Sequence, residues 1–241
     1  MFKSIVKIAA ATVLFAGIHS LLASGTAKRK AAALLGDQRR NALYRPFYNV
    51  LAVVTFGALM LYGAKLPDRR LYRIRAPFAR LMQLIQLYFL LFLLNGARQI
   101  GFLNFAGLPN IALWLRGRSP VPSEPEAQGP ALGDDGRMKI AGPFRLTRHP
   151  LNFGMLPILW LMPKMTVNLA VFNLITTLYL IVGSVHEEKR LKESYGRAYE
   201  DYRESGINFF VPPAGYLLSR RKKELKPAGS NEFAGKNFDS Q

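Results

Sequence analysis

The chain has 241 residues, half of them hydrophobic, with 33 Lys and Arg against 15 Asp and Glu for a formal charge of +18, and no cysteine. The missing thiols exclude disulfides, thiolate catalysis and cysteine-based metal sites. Basic residues sit mostly at the ends of apolar runs, and only Asp37 and Asp68 are acidic before Glu124. That is the flanking pattern of membrane segments beside anionic lipid, not the single patch of a nucleic-acid groove, so no nucleic-acid partner is expected.

Taken in chain order, apolar runs cover residues 5–23, 47–66 and 78–96, then 151–162 and 167–185 after a long polar stretch. Runs near 20 residues match about 30 Å of hydrocarbon at about 1.5 Å per residue. The pattern predicts an all-α integral membrane protein with about five transmembrane helices. The 151–162 run is short and reads as the first leg of a hairpin closed by Pro163-Lys164-Met165-Thr166. Lys3, Lys7 and the Leu22-Ala23-Ser24-Gly25 stretch share features with a cleaved leader, but the multispan remainder favours a retained first helix.

Four parts are expected: a three-helix membrane part (1–115), a flexible Pro- and Gly-rich loop (116–140), a cofactor-binding part (141–213) and a polar basic tail (214–241). Within the third, Glu188, Leu191, Tyr195, Tyr199 and Tyr202 recur at helical spacing, predicting one amphipathic helix over 187–205 that ends at Gly206. Phe209 and Phe210 are expected to dip into the membrane interface. The positive-inside rule places the 116–140 loop and the tail on the cytoplasmic side. Five spans then put the basic 65–80 loop outside, against the same rule, unless it lies along the interface.

Two polar clusters interrupt this apolar pattern, Arg148-His149-Pro150 before the fourth run and His186-Glu187-Glu188 after the fifth. Charge at a membrane edge is costly unless something uses it. Pro150 suits a first helical turn, and Arg148 can pair with a carboxylate or phosphate. The bland alternative is a basic stop with a packed histidine. Adjacent Glu187 and Glu188 repel each other unless compensated; Lys189 and Arg190 can do this, or one carboxylate faces inward to hold a ligand. His19 in the first run is either a buried, satisfied histidine or a substrate contact. No His or carboxylate spacing matches a zinc site, so no metal is expected.

Gly142-Pro143-Phe144-Arg145 through Arg148-His149-Pro150 and Gly154, then Glu187-Glu188 with Leu191, then Tyr195-Gly196, Tyr199 and Tyr202, resemble the isoprenylcysteine carboxyl methyltransferase superfamily. The nearest likeness is to its bacterial NnrU-like and methanethiol S-methyltransferase-like branch, firm over 142–212 and looser before it. The resemblance implies a bacterial inner-membrane enzyme that binds S-adenosylmethionine and methylates a thiol or carboxylate on a small apolar or lipid-like acceptor. It implies that Arg148, His149, Pro150 and Gly154 line the cofactor pocket, that Glu187 and Glu188 anchor the cofactor's polar ends, and that Tyr199 and Tyr202 close the pocket at the reacting centre. Asn152 is also expected at the cofactor, Arg203 by its charge is expected to steer the acceptor in catalysis, and His19 is the candidate substrate contact. Asn152 departs from the family pattern, where tyrosine is usual. A sterol-reductase-like enzyme using NADPH and a non-enzymatic membrane protein are the competing classes.

Overall fold

The computed structural model describes residues 1–123, 127 and 129–211. The expected basic tail with Arg220–Lys223 lies outside the described residues, as does Glu124. Within Met1–Val211 the architecture is all-α, with helices α1 (Phe2–Ala23), α2 (Gly25–Leu35), α3 (Asp37–Lys65), α4 (Phe78–Ile100), α5 (Phe102–Ala106), α6 (Leu108–Leu115), α7 (Pro150–Trp160), α8 (Val167–Tyr195) and α9 (Arg197–Glu204).

Among the described residues four helices, α1, α3, α4 and α8, are long and apolar enough to cross a membrane. Their exposed large side chains, such as Leu14, Val53, Leu91 and Val182, form the outward, lipid-compatible surface. The expected fifth span is corrected: α7 has 11 residues, about 16 Å at 1.5 Å per residue, roughly half a bilayer. Pro157 lies inside it and the helix stops at Trp160, before Pro163. Its last carbonyls are satisfied from neighbouring helices rather than by further turns. Gln86 Nε2 donates to the Ile158 carbonyl at 2.9 Å and the fully buried Asn173 donates to that of Leu159 at 2.6 Å.

The basic 65–80 loop contains strand β1 (Arg70–Arg73), which pairs antiparallel with β2 (Lys164–Thr166). The loop and the α7–α8 connection therefore share one end of the bundle. Near that end Ile8, Leu59, Leu159 and Phe172 form one buried cluster. A second cluster, Ala127, Met138, Leu191, Tyr199, Tyr202 and Ile207, belongs to the other end.

At this second end the chain turns sharply between short helices. The Ser24 side chain caps α2 by accepting from Ala27 N–H. Gly107 joins α5 to α6 at φ +77°, and a Cβ there would come within 2.8 Å of Pro46 on α3, so only glycine fits. Residues of the Pro-rich 116–140 segment are tied to α3 and α6. Val121 N–H donates to Gln38, Asn41 donates to the Val121 carbonyl, and Asn110 donates to that of Pro122. The predicted helix over 187–205 is not continuous: α8 ends at Tyr195, Gly196 adopts φ +54°, and α9 starts afresh. That break turns the second half back over the end of the bundle.

Candidate functional site

The site is built where the chain enters α7. Residues before it form a short parallel bridge to the segment after α9: Thr147 pairs with Asn208, and Arg148 N–H donates to the Asn208 carbonyl at 2.9 Å. Thr147 is fully buried; its hydroxyl donates to the Phe209 carbonyl and accepts from His149 N–H. The backbone of 147–149 is thus clamped, and the two side chains that follow are aimed with little freedom. Phe209, expected to dip into the membrane interface, contributes to the site. Its ring packs against His149, with centroids 5.0 Å apart, and lies 5.8 Å from the Arg148 guanidinium carbon. Phe210 is buried and meets Phe153 edge-on.

Arg148, His149, Glu187, Glu188 and Tyr199 come together in space. Arg148 Nε donates to Glu188 Oε1 at 2.6 Å, and its Nη1 donates to the Ile207 carbonyl at 2.6 Å. The same Glu188 oxygen accepts from the Tyr199 hydroxyl at 3.0 Å and lies 3.5 Å from His149 Nε2. Glu187 takes the other face of the ring, its Oε2 lying 3.3 Å from His149 Nδ1 and 3.3 Å from Asn152 Nδ2. Compensation for the adjacent carboxylates therefore comes from Arg148 and His149 on a distant part of the chain. Arg190 instead donates to the Ala23 carbonyl.

The electrostatics follow from this packing. Burial by itself disfavours a proton on His149, but hydrogen bonds and charge from Glu187 and Glu188 outweigh it, and the imidazole pKa is raised. Burial, reinforced by the Glu188 charge beside it, pushes the Tyr199 phenol up, so Tyr199 is a fixed donor rather than an acid.

These residues border a cavity of about 1020 Å³. Its walls come from the α1–α2 junction, the first half of α3, the 127–138 segment, the start of α7, the second half of α8 and α9. Arg148, His149, Pro150, Asn152, Glu187, Tyr199, Tyr202 and His19 all line it. Glu188 does not; the network holds it behind the wall. Tyr202 has its hydroxyl committed to the Phe144 carbonyl at 2.7 Å. Two expected site residues lie elsewhere. Arg203 is exposed on α9 and does not line the cavity. Gly154 provides close packing of α7 on α4, where a Cβ would sit 2.7 Å from Leu93 Cδ2 and 3.1 Å from Phe92 Cδ1.

Sequence reasoning missed Thr147, Ser184, Tyr48 and Tyr179. Ser184, fully buried in α8, accepts from Asn152 at 2.8 Å and donates to the Leu180 carbonyl. Tyr48 on α3 holds His19, its hydroxyl 2.6 Å from Nε2. A lone serine or tyrosine inside an apolar run carries no signal in its spacing; only the fold brings these to the cavity.

A methanethiol S-methyltransferase of Pseudomonas deceptionensis is 36% identical over 87 residues, 36% of this chain and 33% of its own length. One from Crocosphaera subtropica is 39% identical over 79 residues, 33% of this chain and 31% of its own. Methanethiol S-methyltransferase 2 of Bradyrhizobium diazoefficiens is 34% identical over 91 residues, covering 36% of this chain and 34% of its own. The chain thus spans about a third of the length of the curated relatives it matches. No solved structure matches it. Residues 7–211 match the family described as NnrU protein, and the chain belongs to that family.

Proposed function

We propose that this chain is a membrane methyltransferase that uses S-adenosylmethionine to methylate the sulfur of a small thiol in the cavity between α1, α3, α7 and α8. The observation that carries the reading is the division of labour between the adjacent carboxylates. Glu188 is consumed by Arg148, His149 and Tyr199, whereas Glu187 stands on the cavity wall with a side chain 30% exposed. Among the described residues its Oε1 has no protein partner, so one carboxylate oxygen is open to a ligand. A carboxylate held in this way suits hydroxyl or ammonium groups of the kind that S-adenosylmethionine carries.

The residues present fit that group. The cavity is at the upper end of the size usual for a small-molecule site, with room for a donor and a small acceptor together. Glu187 and Asn152 would hold its polar ends, while Pro150 and the faces of Tyr199 and Tyr202 supply apolar wall. When bound, the sulfonium supplies an activated methyl group, so the protein need only orient, desolvate and manage charge. Arg148 and His149 do not act on the acceptor here; they fix Glu188 and, through the ring, Glu187. The names of the partial-length relatives support thiol as the acceptor.

The site lies at the end carrying Lys28, Arg29, Arg40, Arg45, Arg116 and Arg118. Its basic surroundings support a cytoplasmic-facing site in a bacterial inner membrane. The test is direct. Purified full-length chain, given S-adenosylmethionine and either methanethiol or ethanethiol, should form S-adenosylhomocysteine and the thioether in equal amounts. No product with either thiol, from protein shown to bind the donor, would overturn thiol as the acceptor.

A further inference from the structure

The cavity has a second polar wall, built from α1, α3 and the same α8 that carries Glu187. His19 near the end of α1 meets Tyr48 of α3, with Nε2 and the hydroxyl 2.6 Å apart. The imidazole is also fixed by ring packing, stacked on Phe15 at 5.7 Å and tilted against Tyr48 at 4.9 Å. Tyr179 of α8 closes from the other side, its ring edge-on to His19 and its hydroxyl accepting from Ser20 at 3.3 Å. Arg190, one turn beyond Glu187, also reaches this wall and donates from Nη1 to the Ala23 carbonyl at 3.1 Å. His19, Tyr48, Tyr179 and Arg190 all line the same cavity.

The wall is left polar and under-satisfied. His19 Nδ1 and Arg190 Nε are both buried without a hydrogen-bond partner. Buried polar atoms in that condition are costly, so packing alone does not satisfy this wall, and its Tyr48 and Tyr179 side chains are left to line the cavity. A guanidinium with two phenols favours an anion over its neutral conjugate acid.

Resting on the methyltransferase reading above, we propose that this wall is the acceptor subsite and that Tyr48 and His19 take the proton from the incoming thiol. The thiol S–H bond breaks and its proton passes to the Tyr48 oxygen. The proton already on Tyr48 passes to His19 Nε2 across the 2.6 Å contact. The electron pair stays on sulfur, so a neutral thiol and a neutral imidazole become a thiolate and an imidazolium with no net charge change. Arg190 and Tyr179 stabilise the sulfur anion while it waits. Tyr48 is the group that touches the acceptor; His19 acts through it and is a positioning residue.

This subsite explains why the small-thiol reading needs no base near Glu187. A thiol is mostly protonated at neutral pH, with an ordinary pKa of about 8.5 for the cysteine thiol. The thiolate, not the thiol, is the competent nucleophile.

The test uses full-length chain in detergent and two separate readouts. The first is thermal stabilisation by S-adenosylhomocysteine, which reports the donor side alone. The second is the ultraviolet thiolate band of ethanethiol bound at pH of about 7 in the presence of saturating S-adenosylhomocysteine. Wild type should show both. Tyr48→Phe and His19→Gln should keep the first and lose the second by roughly tenfold, equivalent to about one pKa unit on the bound thiol. A thiolate band of wild-type intensity in both variants would overturn the acceptor subsite and leave the methyltransferase reading intact. Absence of the first readout in wild type would overturn both.

Discussion

Arg148 and Glu188, forty residues apart in sequence, meet through a single 2.6 Å contact that joins the start of α7 to the end of α8. Their side chains are 12% and 19% exposed, and the same carboxylate also receives Tyr199 from α9. One oxygen therefore ties three helices together at the mouth of the cavity. Glu187, its neighbour, is left to face the cavity. Much of the behaviour expected of this protein follows from that asymmetry.

Glu188→Ala should unfold the cavity end, because removing one partner of a buried pair strands the other charge. The expected loss is about 3–5 kcal/mol, read as a lower unfolding midpoint in detergent with or without ligand. Glu187→Gln should leave that midpoint within about 1 kcal/mol of wild type, as a part-exposed group with two long contacts. Equal destabilisation by both variants would contradict the assignment of separate roles.

Replacing Asn152 with tyrosine should give folded protein whose stabilisation by S-adenosylhomocysteine is equal to wild type or larger. Asn152 lines the cavity, so a larger ring has space, and Ser184 keeps its second bond to the Leu180 carbonyl. The loss of the 2.8 Å bond to Ser184 costs about 1 kcal/mol at most. Failure to recover folded protein would show that the position packs against helix rather than ligand.

Gly154→Val tests a site residue that the structure reassigns to packing. The added side chain must displace Leu93 and Phe92, and overpacking of this kind costs about 1–3 kcal/mol. Stability should fall while affinity for S-adenosylhomocysteine in the folded fraction stays unchanged. A selective loss of affinity at unchanged stability would return Gly154 to the cofactor site.

Stability should also depend on pH through His149. Its pKa is raised on folding, so the protonated ring is favoured in the native state. That contribution is fully present below the ordinary histidine value of about 6.5 and is lost as pH rises through the higher folded value. The difference in unfolding midpoint between wild type and His149→Gln should therefore shrink as pH is raised from about 6 to about 9. A gap that widens with pH would mean the ring is neutral in the folded protein.

The polar clusters were legible in the chain because Arg148-His149 and Glu187-Glu188 stand beside long apolar runs, where charge is conspicuous. The helical spans were legible for the same reason, from composition and length. The shortness of α7 was legible too, from the 12-residue run closed by Pro163-Lys164, but not that it stops short of a full span, because the neighbours that satisfy its last carbonyls, Gln86 and Asn173, lie on other helices. The break at Gly196 was equally hidden, because the aromatic spacing runs on in phase across it. Which glutamate faces the cavity depends on contacts forty residues away, and no local pattern encodes it. Tyr48 and Tyr179 carry no local signal at all and emerge only when α3 and α8 are placed beside α1.

The most direct measurement is the thermal unfolding of purified full-length protein with S-adenosylmethionine, S-adenosylhomocysteine and NADPH, on wild type and Glu187→Gln in parallel. The account predicts stabilisation of wild type by the sulfonium and its product but not by NADPH. Ligand at a hundred times its dissociation constant should contribute about 2.7 kcal/mol, and that gain should be largely lost in Glu187→Gln. Stabilisation by NADPH alone, or by none of the three, would contradict it.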